Sequence, residues 1–243
     1  MGPAIGGALL IWVGPAWGMF INAFIYLPYV IWLINAPYGH AYRKKIGDVD
    51  NSAPPPRAIK GFSDIIQTFR DVADNRVIVS MTLLAGAASF LVGNAYQPLM
   101  PGFANDLGAT EATYFYSALL TASAAGALTA GVVLEMKSLM PPQARTAFKQ
   151  VILWCCLMGG FAITTNFYLA LIFLFCAGFL ELSYKSMAQT LVQLRAPAEI
   201  RGRVIGLYTS SSLGLITFSG VTVGIAGKYI GIHWSLGLSA LAL

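Results

Sequence analysis

Charge is what this sequence has least of. Only 10% of its 243 residues are charged, where a soluble domain carries about a quarter. A chain this poor in charge cannot cover a globular surface with polar groups, which excludes an ordinary water-soluble domain and leaves lipid as the solvent. Catalytic chemistry is equally thin. The only histidines are His40 and His233. The three cysteines, Cys155, Cys156 and Cys176, lie in apolar stretches with neither metal spacing nor a disulfide framework, so reduced, buried packing residues are expected. No His-Glu-x-x-His, Gly-x-Ser-x-Gly or Cys-x-x-Cys occurs. The pair Gly227-Lys228 has Thr222 where a phosphate-binding loop needs its first glycine, and Tyr229 where it needs Ser or Thr. The expectation is no enzyme, no metal, no cofactor and no ATP-driven pump.

What the chain has is apolar length. It is 57% hydrophobic, with a mean hydropathy of +0.68. A helix needs about 20 mostly apolar residues to cross a bilayer. Six stretches are read as spans: 17–36, 77–100, 112–134, 150–165, 167–193 and 204–227. Two shorter apolar stretches, 4–13 and 231–243, flank them. The Lys/Arg counts in the successive connections run seven, none, three, none, three and one. That alternation is the positive-inside pattern and predicts cytoplasmic basic loops in a multi-pass protein of the cell inner (plasma) membrane. The net charge of +5 thus sits in loops facing the cytoplasm and membrane lipids, and gives no reason to expect nucleic acid.

The connection 37–75 is the longest. It carries Pro54-Pro55-Pro56, a stiff linker signal, and ends in GFSDIIQTFRDVADN. Phe62, Ile65, Ile66, Phe69 and Val72 recur there at helical spacing, with Asp64, Gln67, Arg70, Asp71 and Asp74 opposite. An amphipathic helix lying on the cytoplasmic face is expected. The organisation read from this is 1–36, a first helical group; 37–75, a cytoplasmic connection; and 76–243, a second helical group.

Three stretches resemble a known family. Gly2-Pro3-Ala4-Ile5-Gly6-Gly7 is similar to the end of the fifth-helix antiporter motif of major facilitator superfamily exporters. Gly18 to Leu27, GMFINAFIYL, looks like the sixth helix of the branch that contains the enterobactin exporter. Pro197 to Val204, PAEIRGRV, resembles that branch's loop between helices ten and eleven. The resemblance implies an all-α membrane protein, a helical bundle running from helix five to helix twelve: 1–36 would be the end of helix five and helix six of the N-terminal half, 37–75 the central loop, and 76–243 the C-terminal six-helix half with its last helix truncated. It implies a secondary active transporter exporting a siderophore or amphiphilic drug, by proton antiport with alternating access. It also implies a fragment whose partners include the N-terminal helices of the same transporter, besides protons, lipid and a small-molecule substrate. A half-size protein is the alternative on length. A non-transporting scaffold or receptor of the same fold is the alternative on function.

Several residues are singled out. Gly2, Pro3, Gly6 and Gly7 would kink and close-pack a helix. Gly220 with Gly224, and Ala122 with Gly126, are small-xxx-small pairs suited to helix contact. Glu181 and Lys185 are the sharpest signal, because a charge inside a span costs at least ~2.5 kcal/mol and so faces a cavity or a partner. Their i, i+4 spacing puts both on one face. They are read either as a proton or substrate contact, or as a pair that neutralises itself while Lys185 snorkels. Asn94, Tyr96 and Gln97 are placed in the outer half of helix seven, before a kinked end at Pro98 and Pro101. They are read as cavity lining or as interhelical hydrogen bonds. Tyr114 and Tyr116 suit interfacial anchors. Arg201 and Arg203, beside Gly202, lie at a helix start where cations are disfavoured, so carboxylate partners such as Glu199 or Glu135, or lipid phosphates, are expected. The resemblance implies that these loop charges latch an inward gate; a plain positive-inside topology signal is the alternative.

Overall fold

A computed structural model describes residues 15–35, 62–93, 96–108, 112–137 and 143–243. The described residues form ten α-helices and no strand: α1 Pro15–Asn35, α2 Phe62–Asp71, α3 Arg76–Leu91, α4 Tyr96–Leu107, α5 Ala112–Lys137, α6 Ala144–Ile163, α7 Phe167–Arg195, α8 Arg201–Thr209, α9 Ile216–Ile230 and α10 Ile232–Ala242. A π-helical segment, Ser210–Gly214, joins α8 to α9. Four helical runs are long and apolar enough to cross a membrane: 114–135, 144–163, 167–195 and 201–230.

Caps fix where the helices start. The Asn166 side chain accepts from the Tyr168 and Leu169 amides at 2.9 and 3.2 Å, satisfying orphan donors at the start of α7. Asn75 does the same for α3 through Val77 and Ile78, while its amide donates to the Arg195 carbonyl at 3.4 Å. One side chain thus ties the start of α3 to the end of α7. Arg76, Arg145, Arg195 and Arg201 all lie at this end of the bundle, and the turns at Asn166 and Gly231 at the other.

α7 is the central helix, packed by α5, α6, α3 and α8. Trp154 of α6 meets Tyr184 with ring centroids 5.6 Å apart, and Phe115 of α5 meets Phe167 edge-on at 4.1 Å. The closest approach is between α5 and α7. A Cβ added at Gly126 would collide with the Phe175 carbonyl, and one at Gly178 with the Ser123 carbonyl. The two backbones touch through reciprocal glycines, which only small residues allow.

Several expectations need correction. The stretch 77–100 is not one span. α3 ends at Leu91, with the Gly93 amide bonded to the Ala88 carbonyl at 2.7 Å and Gly93 at φ +40°. That left-handed cap ends the helix. The break therefore precedes the prolines, and Pro101 lies inside α4. The stretch 204–227 does lie within one run long enough to span, 201–230, but that run is not regular: it contains the π segment, where the Ser89 hydroxyl donates to the Ser212 carbonyl at 2.6 Å. None of the cysteines is fully buried, and Cys156 is exposed. Among the described residues, nothing lies within 4 Å of a Cβ added at Gly224, so none of them packs on this glycine. α2 is helical, but the expected apolar stripe divides: Val72, just past the helix end, is buried beside Thr68, whereas Ile66 and Phe69 are exposed. The α2 register thus serves two faces, one toward α8 and one outward. α1 exposes large apolar side chains from Trp17 to Ile34.

His233, passed over as a site in the sequence, clasps three helices at the Gly231 end. Its Nδ1 bonds to the Ala162 carbonyl of α6, its Nε2 lies 3.2 Å from Asp106 Oδ2 of α4, and its ring meets Phe103 edge-on at 4.8 Å.

The glycine contact yields a direct test. Gly126→Ile should lower the stability of the detergent-purified protein by about 1–3 kcal/mol, the usual range for overpacking. Gly159→Ala, inside α6 where among the described residues an added Cβ meets nothing within 4 Å, should leave the melting temperature unchanged or raise it slightly, as helix propensity favours Ala over Gly.

Candidate functional site

Directly beside the α5–α7 contact the helices leave a cavity of about 570 Å³, within the range of small-molecule sites. Three helices line it. α5 contributes Leu120, Ser123, Ala124, Ala127, Leu128, Gly131 and Val132; α7 contributes Gly178, Glu181, Leu182 and Lys185; α4 contributes Tyr96 and Gln97. Small residues make the space: Ala124, Ala127 and Gly131 recur at helical spacing on α5, and Gly178 opposes them. Most of the wall is aliphatic.

The polar groups converge on Glu181. Lys185 Nζ donates to Oε1 at 2.6 Å. Tyr96 Oη donates to Oε2 at 3.2 Å and lies 3.4 Å from Ser123 Oγ. Both carboxylate oxygens are therefore bonded, as a charge at this depth requires. The two members of the pair are held differently. Glu181 is 13% exposed and Lys185 30%. Tyr96, which steadies the carboxylate, is itself buried. Above Lys185, the Tyr208 hydroxyl of α8 donates to its backbone carbonyl at 3.4 Å, linking the next helix to this turn of α7.

The whole chain matches one family. A model of the transmembrane secretion effector family, within the major facilitator superfamily, matches residues 1–243. The chain belongs to that family. No curated protein and no solved structure matches it significantly. This effector-family member is thus a multi-pass membrane protein with the all-α bundle of a transporter superfamily.

Within the effector-family fold, the structure brings Tyr96, Gln97, Glu181 and Lys185 into one cavity. Ser123 completes the set and was not picked out in the sequence; its signal was a lone hydroxyl between alanines on the small-residue stripe of α5. Asn94, Gly2, Pro3, Gly6 and Gly7 lie outside the described residues. Glu199, Arg201 and Gly202 are exposed and Arg203 is half-buried, around the start of α8. They do not line the cavity. Neither arginine pairs with Glu199 or Glu135 among the described residues. Tyr114 is exposed at the start of α5, as an interfacial anchor would be, and Tyr116 packs partly against the core.

The bonding pattern ranks two substitutions. Tyr96→Phe should cost roughly 1 kcal/mol of stability, toward the upper part of what hydrogen bonds contribute inside membrane proteins, because the lost acceptor is ionised. Ser123→Ala, which removes only a 3.4 Å contact between hydroxyls, should cost less. Denaturation of both variants in the same detergent would check the order.

Proposed function

We propose that this effector-family protein is a secondary carrier exporting a small amphiphile, a siderophore or a drug-like molecule, by proton antiport with alternating access. The observation that carries this reading is an acid fixed inside a largely aliphatic, drug-sized cavity. An ionisable residue at that depth marks substrate or proton pathways. The binding sites of secondary transporters lie near the bilayer midplane, between helical groups. In this reading Glu181 takes a proton from one side of the membrane and gives it up on the other. Tyr96 and Ser123 hold the carboxylate in place, and Gln97 contacts the substrate.

The rest of the carrier follows from the same reading. The cavity wall opposite α4, α5 and α7 is supplied by helices of the N-terminal half. The basic ends of α3, α6, α7 and α8 face the cytoplasm, and the membrane is the cell's plasma membrane. Glu199, Arg201, Gly202 and Arg203 then lie at the inward gate. Resemblance of the PAEIRGRV stretch to the enterobactin-exporter branch supports a siderophore as one substrate class.

Membrane vesicles with an imposed pH gradient test this. The full carrier should move a fluorescent amphiphile such as ethidium, or an iron-free catecholate siderophore, and stop when the gradient is collapsed by an ionophore. Glu181→Gln should reduce that flux at least tenfold at equal expression. Gradient-driven flux that is unchanged in the Gln variant refutes the proton role.

A further inference from the structure

The Glu181–Lys185 pair has an asymmetry that proton antiport alone does not use. The carboxylate is the fixed member. Its Oε2 is bonded to Tyr96, whose side chain is buried and whose hydroxyl reaches Ser123 on α5. Lys185 is the movable member. Among the described residues, its ammonium has one partner, Glu181 Oε1 at 2.6 Å, and its side chain is more than twice as exposed. It sits one turn along α7, toward the basic end, on a flexible four-carbon stem that can carry the ammonium along the helix to water. Only these two cavity-lining residues carry charge.

From this we infer that Lys185 is a tethered cation that occupies Glu181 until a proton or an organic monocation displaces it, so the cavity selects amphiphilic cations. The inference rests on the carrier reading of the same site and names its substrate class and its regulation. The geometry favours a cation over an anion because the pole that stays in the cavity is the acid. An anion would have to recruit a lysine that the carboxylate already holds, and would leave Glu181 charged in an apolar wall with one partner fewer. A cation replaces Lys185 at Oε1 and keeps the carboxylate compensated, while its apolar body lies against Leu128, Val132 and Leu182. Proton, lysine and substrate then compete for one carboxylate. Protonation of Glu181 releases the organic cation, which leaves with its charge. When neither is bound, Lys185 returns, so the carboxylate is never carried bare through the lipid.

The test is equilibrium binding of tetraphenylphosphonium to the purified protein in lipid nanodiscs at fixed pH. Lys185→Met removes the competitor and should tighten the Kd at least tenfold. Lys185→Arg keeps the charge and grips the carboxylate with a bidentate fork, so it should weaken the Kd severalfold. Glu181→Gln should abolish binding in either background. Should the Met variant not fold, the Arg variant decides: weaker binding supports the inference, and unchanged or tighter binding overturns it. It is also overturned if Lys185→Met leaves the Kd unchanged or weakens it, or if the protein instead binds tetraphenylborate and loses it on Lys185→Met. Because binding needs no gradient, failure here leaves proton-driven flux standing, and failure of that flux leaves this competition standing.

Discussion

Where Gly126 meets the Phe175 carbonyl and Gly178 meets the Ser123 carbonyl, α5 and α7 touch through their backbones. In lipid, apolar side chains gain little by burial against one another, so helix association rests on close packing and polar contacts. A reciprocal glycine contact supplies the closest packing available. It also fixes the distance between the two walls of the cavity. On α7 the next turn presents Glu181, and on α5 the next turns present Ala127 and Gly131. Bulk at Gly126 or Gly178 would part the helices and carry the carboxylate away from Tyr96 and Ser123, so the site depends on residues that have no chemistry of their own.

The second constraint is electrostatic. A carboxylate within the bilayer costs several kcal/mol unless its oxygens are bonded. Glu181 meets that demand with partners from two helices, one neutral and one cationic. The neutral partner is held by burial and the cationic one by attraction alone, so the attraction is the term that a competing charge can replace. The same arrangement that makes a buried acid tolerable thus leaves it exchangeable.

Much of the bundle was legible in the sequence because lipid imposes a coarse rule: long apolar runs separated by short polar connections, alternately basic and not, become helices. α5, α6 and α7 start and end close to where the pattern placed them. The i, i+4 pairing of Glu181 and Lys185 was legible for the same reason, since helical spacing alone puts them together. What escaped was whatever depends on backbone exceptions or on distant helices. Hydropathy does not register a left-handed glycine, so Gly93 ended α3 inside a run that looked continuous. Pro98 and Pro101 drew the expected kink to the wrong place, because a proline near a helix start costs little. Ser123 was invisible because its role depends on Tyr96 arriving from another helix. His233 was invisible for a like reason: its partners Asp106 and Ala162 are far away in sequence.

The two interruptions of regular helix share a setting. Hydrocarbon cannot satisfy a backbone group released from a helix, so irregular backbone at membrane depth survives only where protein answers it. At the π segment the Ser89 hydroxyl of α3 takes the Ser212 carbonyl. At the α3 end the Gly93 amide finds Ala88, and the space a Cβ would need at Gly93 is filled by the Ser89 carbonyl and the Ser219 hydroxyl. Ser89 therefore stands at both interruptions, and Gly86, one turn before it, lets Leu215 and Ser211 come close. The α3 face carrying Gly86 and Ser89, continued by Gly93 just past the helix end, is small and polar because the backbone opposite is irregular. Its composition answers a packing demand, which is why serines and glycines in a span signal a helix contact before they signal a ligand.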